Sequence, residues 1–190
     1  DLDGNACASR TFGRIVGGAE SVVAAFRGKA ALASVVCETP VAALRLAPGS
    51  PELRTVQLAA RLDEAGLLRA DVFALELAQL GEDAFDYVLI DCPGGNPFMD
   101  HAALLACDEV IVPTGLSVYD LYGATPMLAP IVQARKVRGD GRPRFLGFLP
   151  NGASKAGVPL RLQAKLDSYR APCFAAVRQS AALKTIAGAD

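Results

Sequence analysis

The segment Tyr87-Val-Leu-Ile-Asp91-Cys-Pro-Gly-Gly95 sets a carboxylate at the end of an apolar run and follows it with a Pro/Gly turn. In open parallel sheets ligands gather at the carboxyl edge of the strands. Asp91 is therefore placed to hold a hydrated Mg2+ beside a nucleotide phosphate. The glycines that follow let backbone approach a phosphate closely. An aspartate that ends an ordinary strand and caps the next helix has the same local sequence. A second acidic segment is Asp1-Leu2-Asp3-Gly4-Asn5-Ala6. Residues two apart on a strand share a face, so a strand reaching Asp3 would present Asp1 and Asp3 together before Gly4-Asn5 turns the chain away. Such a pair can ligate Mg2+ through water or orient an attacking water in phosphoryl transfer. Standing alone, it reads better as a polar chain terminus.

These carboxylates need a scaffold, and the chain has the means to build one. It holds 190 residues, 52% of them hydrophobic and 21% charged. That is enough for one domain burying roughly 70% of its unfolded surface, and it excludes a disordered chain. Short β-rich runs alternate with helical stretches, which predicts an α/β fold with a parallel sheet. Strands are expected at 44–47, 87–91, 110–112 and 145–149, with a weaker one at 34–37. Helices are expected at 20–27, 52–64, 70–80, 98–106, 118–137, 158–169 and 179–187. The unbroken apolar character of Tyr-Val-Leu-Ile and Val-Ile-Val suits strands covered by helices on both faces. Ser50-Pro51-Glu52 is a good helix start.

With the two acidic segments some eighty residues apart, the chain resembles the ParA/MinD group of P-loop ATPases, and within it the ParA-type ATPases that partition plasmids and chromosomes. Further segments fit that family in order. They are Leu46-Ala-Pro-Gly-Ser-Pro-Glu-Leu53, Cys107-Asp-Glu-Val-Ile-Val-Pro113, Phe145-Leu-Gly-Phe-Leu-Pro-Asn151 and Val177-Arg-Gln-Ser-Ala-Ala-Leu183. The resemblance covers nearly the whole chain. It implies a P-loop NTPase-like three-layer sandwich with a mostly parallel central sheet, using ATP and Mg2+. It implies a catalytic, water-positioning and metal-positioning role for Asp3, with Asp1 supporting the metal and Asp91 binding Mg2+ through a water. Gly4, Asn5, Pro93 and Gly94 would lie on the nucleotide, Asn151 on its adenine side, and Arg178 on DNA backbone.

The chain also departs from the pattern. The family's Asp-x-Asp-Pro-Gln-Gly-Asn lacks its Pro-Gln here, and Asp-Cys-Pro-Pro has become Asp91-Cys-Pro-Gly94. No Gly-Lys-Ser/Thr phosphate loop occurs in these residues, and Gly28-Lys29-Ala30 lacks both the hydroxyl and the preceding strand. The family places that loop about twenty-five to thirty residues before the Asp-x-Asp strand, counting one helix between them. The expectation is therefore a single ParA-like domain, truncated at its start and also at its end, that binds ATP poorly as it stands.

Charge adds an independent line. Residues 1–132 carry 8 Lys and Arg against 17 Asp and Glu, whereas residues 133–190 carry 11 against 3. A basic end on a near-neutral chain points to a polyanionic partner or to a solvated helix face. Arg135, Lys136 and Arg178 are the candidate DNA contacts. Aromatics make up 6% of residues, too sparse for base stacking, so binding would go through phosphates. The expected partners are non-specific DNA, a ParB-like centromere-binding protein and a second copy in an ATP-bound homodimer. No stretch approaches the ~18 apolar residues of a membrane span. Asp1-Leu2-Asp3 is acidic where a signal peptide needs a basic n-region, so a cytoplasmic protein is expected, and the resemblance implies nucleoid association. The five scattered cysteines read as reduced thiols, with Cys92 a small buried apolar residue. His101, the one histidine, reads as a surface or helix-packing residue. A MinD-like membrane-associated ATPase and a cobyrinate-synthase-like amide ligase share the fold and are the alternative readings.

Overall fold

In the computed structural model, which describes residues 1–58, 70–81, 83–154, 157–169 and 172–180, the chain divides into two units, Asp1–Cys107 and Asp108–Asp190. The first unit is assembled from short helices: α1 (Cys7–Thr11), α2 (Val22–Phe26), α3 (Leu32–Val35), α4 (Val72–Ala78) and α5 (Pro97–Ala106). Between α3 and α4, β1 (Cys37–Glu38) and β2 (Arg45–Leu46) pair antiparallel, Cys37 opposite Leu46. Helix α2 shows where the core sits. All five of its residues are apolar and all are buried, and a helix apolar on every side has to be surrounded. Ser21 caps it, its hydroxyl accepting from the Val23 amide at 3.3 Å. Phe26 stacks on Phe73 of α4 with ring centroids 5.5 Å apart, and it meets Phe98 of α5 at 6.2 Å. Leu2, Leu32, Leu53 and Met99 complete the cluster, each at most 2% exposed. Burying a side chain of that size is worth about 1.5–3 kcal/mol.

Several expectations change in this unit. Residues 87–91 form no strand, and Tyr87 and Leu89 stand 88% and 90% exposed. A strand exists only where neighbouring backbone offers a ladder, and an apolar run cannot supply its own neighbour. Residues 34–37 divide between the end of α3 and the start of β1, and β2 is antiparallel to β1. The helix expected at 20–27 begins as a 3-10 turn, Gly18–Glu20, before α2. The one expected at 52–64 is a 3-10 helix over Pro51–Leu58, and its remainder lies outside the described residues.

The second unit contains the parallel sheet. β3 (Glu109–Thr114), β4 (Arg144–Ala153) and β5 (Val177–Arg178) lie in that order, with Val112 beside Phe148 and Asn151 beside Val177. Parallel neighbours need crossover connections. α6 (Val118–Ala124) and α7 (Leu128–Arg138) lead from β3 to β4, and α8 (Leu160–Ser168) leads from β4 to β5. The helix expected at 118–137 is interrupted by the 3-10 turn Thr125–Met127 around Pro126, which has no amide to donate to the preceding turn. Ser117 and Asp120 form a capping box at the start of α6. β3 alternates: Val112 and Thr114 are buried while Ile111 is 44% exposed, so β3 is not covered on both faces. Phe148, Leu121, Ile131, Ala134, Leu162 and Leu166 form the buried interior of this unit. Gln179 and Ser180 are not helical, and the rest of the helix expected at 179–187 lies outside the described residues.

Candidate functional site

One backbone bond joins the two acidic segments. The amide of Leu2, itself 1% exposed, donates to the carbonyl of Asp91 at 2.8 Å. The leucine side chain anchors the Asp1–Asp3 segment in the core of the first unit, and the bond lays that segment against Asp91.

The aspartates of the first segment have different surroundings. The Asp1 carboxylate accepts three bonds: Oδ1 from the Asp3 amide at 3.1 Å, and Oδ2 from the Ser9 amide at 2.9 Å and the Ser9 hydroxyl at 2.6 Å. The buried Ser9 Oγ accepts in turn from the Gly49 amide at 2.9 Å. Asp1 is thereby tied to the start of α1 and to the 46–50 passage. Asp3 instead closes a turn, Oδ1 accepting from the Asn5 amide at 2.9 Å and Oδ2 from Asn5 Nδ2 at 3.3 Å. Residues 1–3 form no strand, so the two carboxylates are held by this pair of local turns and not by a shared strand face. A Cβ on Gly4 would lie 2.5 Å from Cγ of Arg54, so a larger residue there would displace the arginine side chain. Arg54 Nη2 donates to Asn5 Oδ1 at 2.5 Å, and Arg10 Nε donates to the Asn5 carbonyl at 3.2 Å. Two guanidinium groups thus fix the Asp3–Asn5 turn.

On the other side Asp91 is exposed and Pro93 half-buried, and Gly94-Gly95 make a turn in which Gly95 adopts φ +83°. That conformation favours glycine. A Cβ at either glycine would meet nothing within 4 Å, so the space over the turn is open. Asn96 then caps α5, its Oδ1 accepting from the Met99 amide at 3.3 Å, with Pro97 at the first helical position. Cys92 is exposed as a residue, contrary to the buried position expected. Desolvation of its thiol, reinforced by the charge of Asp100, nevertheless pushes its pKa up to about 12. It is therefore a neutral thiol near neutral pH and not a nucleophile. Burial also raises the Asp100 carboxyl.

Asp3 and Asp91 supply hard oxygen donors, the chemistry that suits Mg2+. Among the described residues no group of three or more His, Cys, Asp or Glu could hold a metal. Single carboxylates, Asp3 half-buried and Asp91 exposed, suit an ion that keeps several waters and takes phosphate oxygens.

The first unit thus ties the Asp1–Asp3 segment to Asp91 by one backbone bond. In the second unit Asn151 is exposed on β4, and Arg178 is exposed on the adjoining β5, opposite Ala153. Arg135 and Lys136 are exposed in the last turn of α7. The neighbouring basic residues are ion-paired: Arg138 with Asp140 at 2.8 Å, Arg142 with Asp108 at 2.5 Å, and Arg144 with Glu109. His101 is half-buried on α5. Sequence reasoning missed Ser9, Arg10 and Arg54. Arg54 contacts the turn from 49 positions away, which no local pattern records. A small hydroxyl just inside a helix, eight residues after Asp1, was the one visible hint of Ser9.

The family model described as an AAA domain matches residues 1–140. The chain belongs to this family, the ParA/MinD group of P-loop ATPases. The chromosome-partitioning ATPase Soj of Treponema pallidum is 30% identical to this ParA/MinD member over 106 residues, which are 55% of this chain and 40% of Soj. The chain thus matches less than half the length of that curated relative. Among solved structures, apo McdA of Cyanothece superposes with a TM-score of 0.82 at 20% identity, covering 100% of this chain and 77% of that one. The cobyrinic acid a,c-diamide synthase of Mycobacterium smegmatis, with bound ADP and magnesium, reaches 0.76 at 24% identity, over 93% and 71%. These likenesses show the fold, an α/β P-loop NTPase architecture with a parallel sheet. No described helix of this ParA/MinD chain is long and apolar enough to cross a membrane.

Proposed function

We propose that the chain is the metal-side part of a ParA-like partition ATPase, acting as an ATP-dependent dimer on DNA without sequence preference. The observation that supports this reading is the Leu2–Asp91 bond, which ties the segment carrying Asp3 to Asp91. Its likeness to Soj supports partition over the other activities hosted by this fold.

Bound Mg2+ would neutralise charge on the phosphates of ATP. Asp3 and Asp91 would hold its water ligands, and Asp3 would also orient the water that attacks. Asp1 would act through Ser9 and the Asp3 amide, keeping the turn in place. Asn5 would be steadied by Arg54 and Arg10 so that Gly4 and Asn5 face the nucleotide with Pro93 and Gly94. Asn151 would contact the adenine. Arg135, Lys136 and Arg178 would neutralise DNA phosphates, each contact steepening the salt dependence of binding by about 0.9 in log–log slope. A ParB-like centromere-binding protein would stimulate hydrolysis, and the protein would reside on the nucleoid.

The test is filter binding of duplex DNA by the full reading frame that encodes this chain, with ATP, ADP or no nucleotide. Binding that needs ATP and is lost in Asp91→Ala supports the reading. Equal binding in all three states contradicts it. Liposome flotation would then test the MinD-like alternative, and substrate-dependent ATP turnover without DNA the amide ligase.

A further inference from the structure

Three of the four tyrosines lie exposed in the second unit: Tyr119 at 84% and Tyr122 at 49% on α6, and Tyr169 at 38% just after α8. Tyr119 and Tyr122 line a cleft of about 420 Å³ whose apolar walls are completed by Leu116 and Val118 on their side and by Pro159 and Leu162 on the other. The helices themselves are firmly joined beneath it, since Leu121, Leu162 and Leu166 are all 0% exposed. The cleft is therefore a preformed feature of this unit.

Its charge is positive. Arg161 lines the cleft, and Lys165 lies one turn further along the same face of α8. The Lys165 ammonium is held over two rings, 5.4 Å from the centroid of Tyr122 and 5.2 Å from that of Tyr169. A cation so placed has already lost much of its rotamer freedom, and less remains to be lost on binding. Of the acids on the two helices, neither lines the cleft: Asp120 accepts from the amide of Ser117 at its edge at 2.9 Å, and Asp167 accepts from Gln163 Nε2 at 3.0 Å. Exposed tyrosines and an arginine around an apolar depression are the composition of a binding hot spot on a protein surface.

We propose that this cleft docks an acidic segment of a partner protein that inserts one apolar side chain between Tyr119 and Leu162, with its carboxylates on Arg161 and Lys165. DNA fits it less well, because phosphates gain nothing from apolar walls and are bound by rows of cations. The surface is independent of the nucleotide reading and stands or falls without it.

Fluorescence anisotropy on the full chain tests the proposal with four short labelled probes. They are a Glu/Ser peptide with a central Phe-Leu, the same peptide with Lys for Glu, the acidic peptide with Ser-Ser for Phe-Leu, and duplex DNA of similar length. The acidic Phe-Leu peptide should bind best, and removal of either its charge or its apolar pair should weaken it at least about tenfold. Tyr119→Ala, a change at an exposed position that leaves the interior intact, should cost a similar factor. Arg161→Glu should move the preference towards the basic peptide. Stronger binding of DNA or of the basic peptide to the unaltered chain would overturn the proposal. So would no binding of the acidic peptide at millimolar concentration, or variants that bind it unchanged.

Discussion

The amide of Leu2 donates to the carbonyl of Asp91 at 2.8 Å, and the side chain of the same leucine is 1% exposed in the core that α2, α4 and α5 share. One residue therefore couples the packing of the first unit to the meeting of its two acidic segments. Leu2→Ala should destabilise the fold by about 2–5 kcal/mol, the range for a buried leucine that leaves a cavity. Leu2→Ile should cost less than about 1.5 kcal/mol, because volume is kept. The urea midpoints of the two variants check this ordering.

Ser9 bridges Asp1 to Gly49 through a hydroxyl that both donates and accepts. Ser9→Ala leaves the Gly49 amide without its partner, while Asp1 Oδ2 keeps the Ser9 amide, at a cost of about 1–3 kcal/mol. Chemical denaturation reads this directly. A variant as stable as the parent would show that water replaces the hydroxyl.

Glu52 accepts from Arg27 at 2.5 Å and from the Gly18 amide at 2.8 Å, and the hydrogen bond from Arg27 first, then that from Gly18, holds its pKa below the ordinary value of 4.5. A carboxylate with a depressed folded pKa stabilises fully above its unfolded pKa and loses that contribution as pH falls through the folded value. Melting temperature against pH should therefore fall below about pH 4.5, and Glu52→Gln should be less stable at neutral pH with a shallower acid limb. Parallel curves for the two proteins would contradict the assignment.

Cys92, with its thiol raised to about 12, should resist alkylation at pH 8 while exposed Cys7 reacts. Mass spectrometry after a short iodoacetamide pulse resolves the two sites. Urea should abolish the difference. Equal native rates would mean that the thiol is not desolvated.

How far the sequence reveals this molecule depends on what each feature requires. The helices at 98–106 and 158–169 were legible because a helix's residue pattern is local. The β3 and β4 runs were legible because Val-Ile-Val and Phe-Leu-Gly-Phe-Leu each find a parallel neighbour. The run at 87–91 looked the same by composition but forms no strand, since pairing belongs to the neighbour and not to the run. At the candidate site the acidic residues and turn glycines could be read from type and spacing. Their supports could not: Ser9 and Arg54 act across 8 and 49 positions. Three of the basic residues at 138–144 also proved to be ion-paired, with partners at 108, 109 and 140.

The central claim is that Asp3 and Asp91 together hold the nucleotide's Mg2+. Electron paramagnetic resonance of Mn2+, substituted for Mg2+ and titrated into the full reading frame with ATP, tests it most directly. The account predicts a tightly bound Mn2+ that requires ATP, with affinity reduced about 10- to 100-fold in Asp3→Ala and in Asp91→Ala. Mn2+ affinity unchanged in both variants would contradict it.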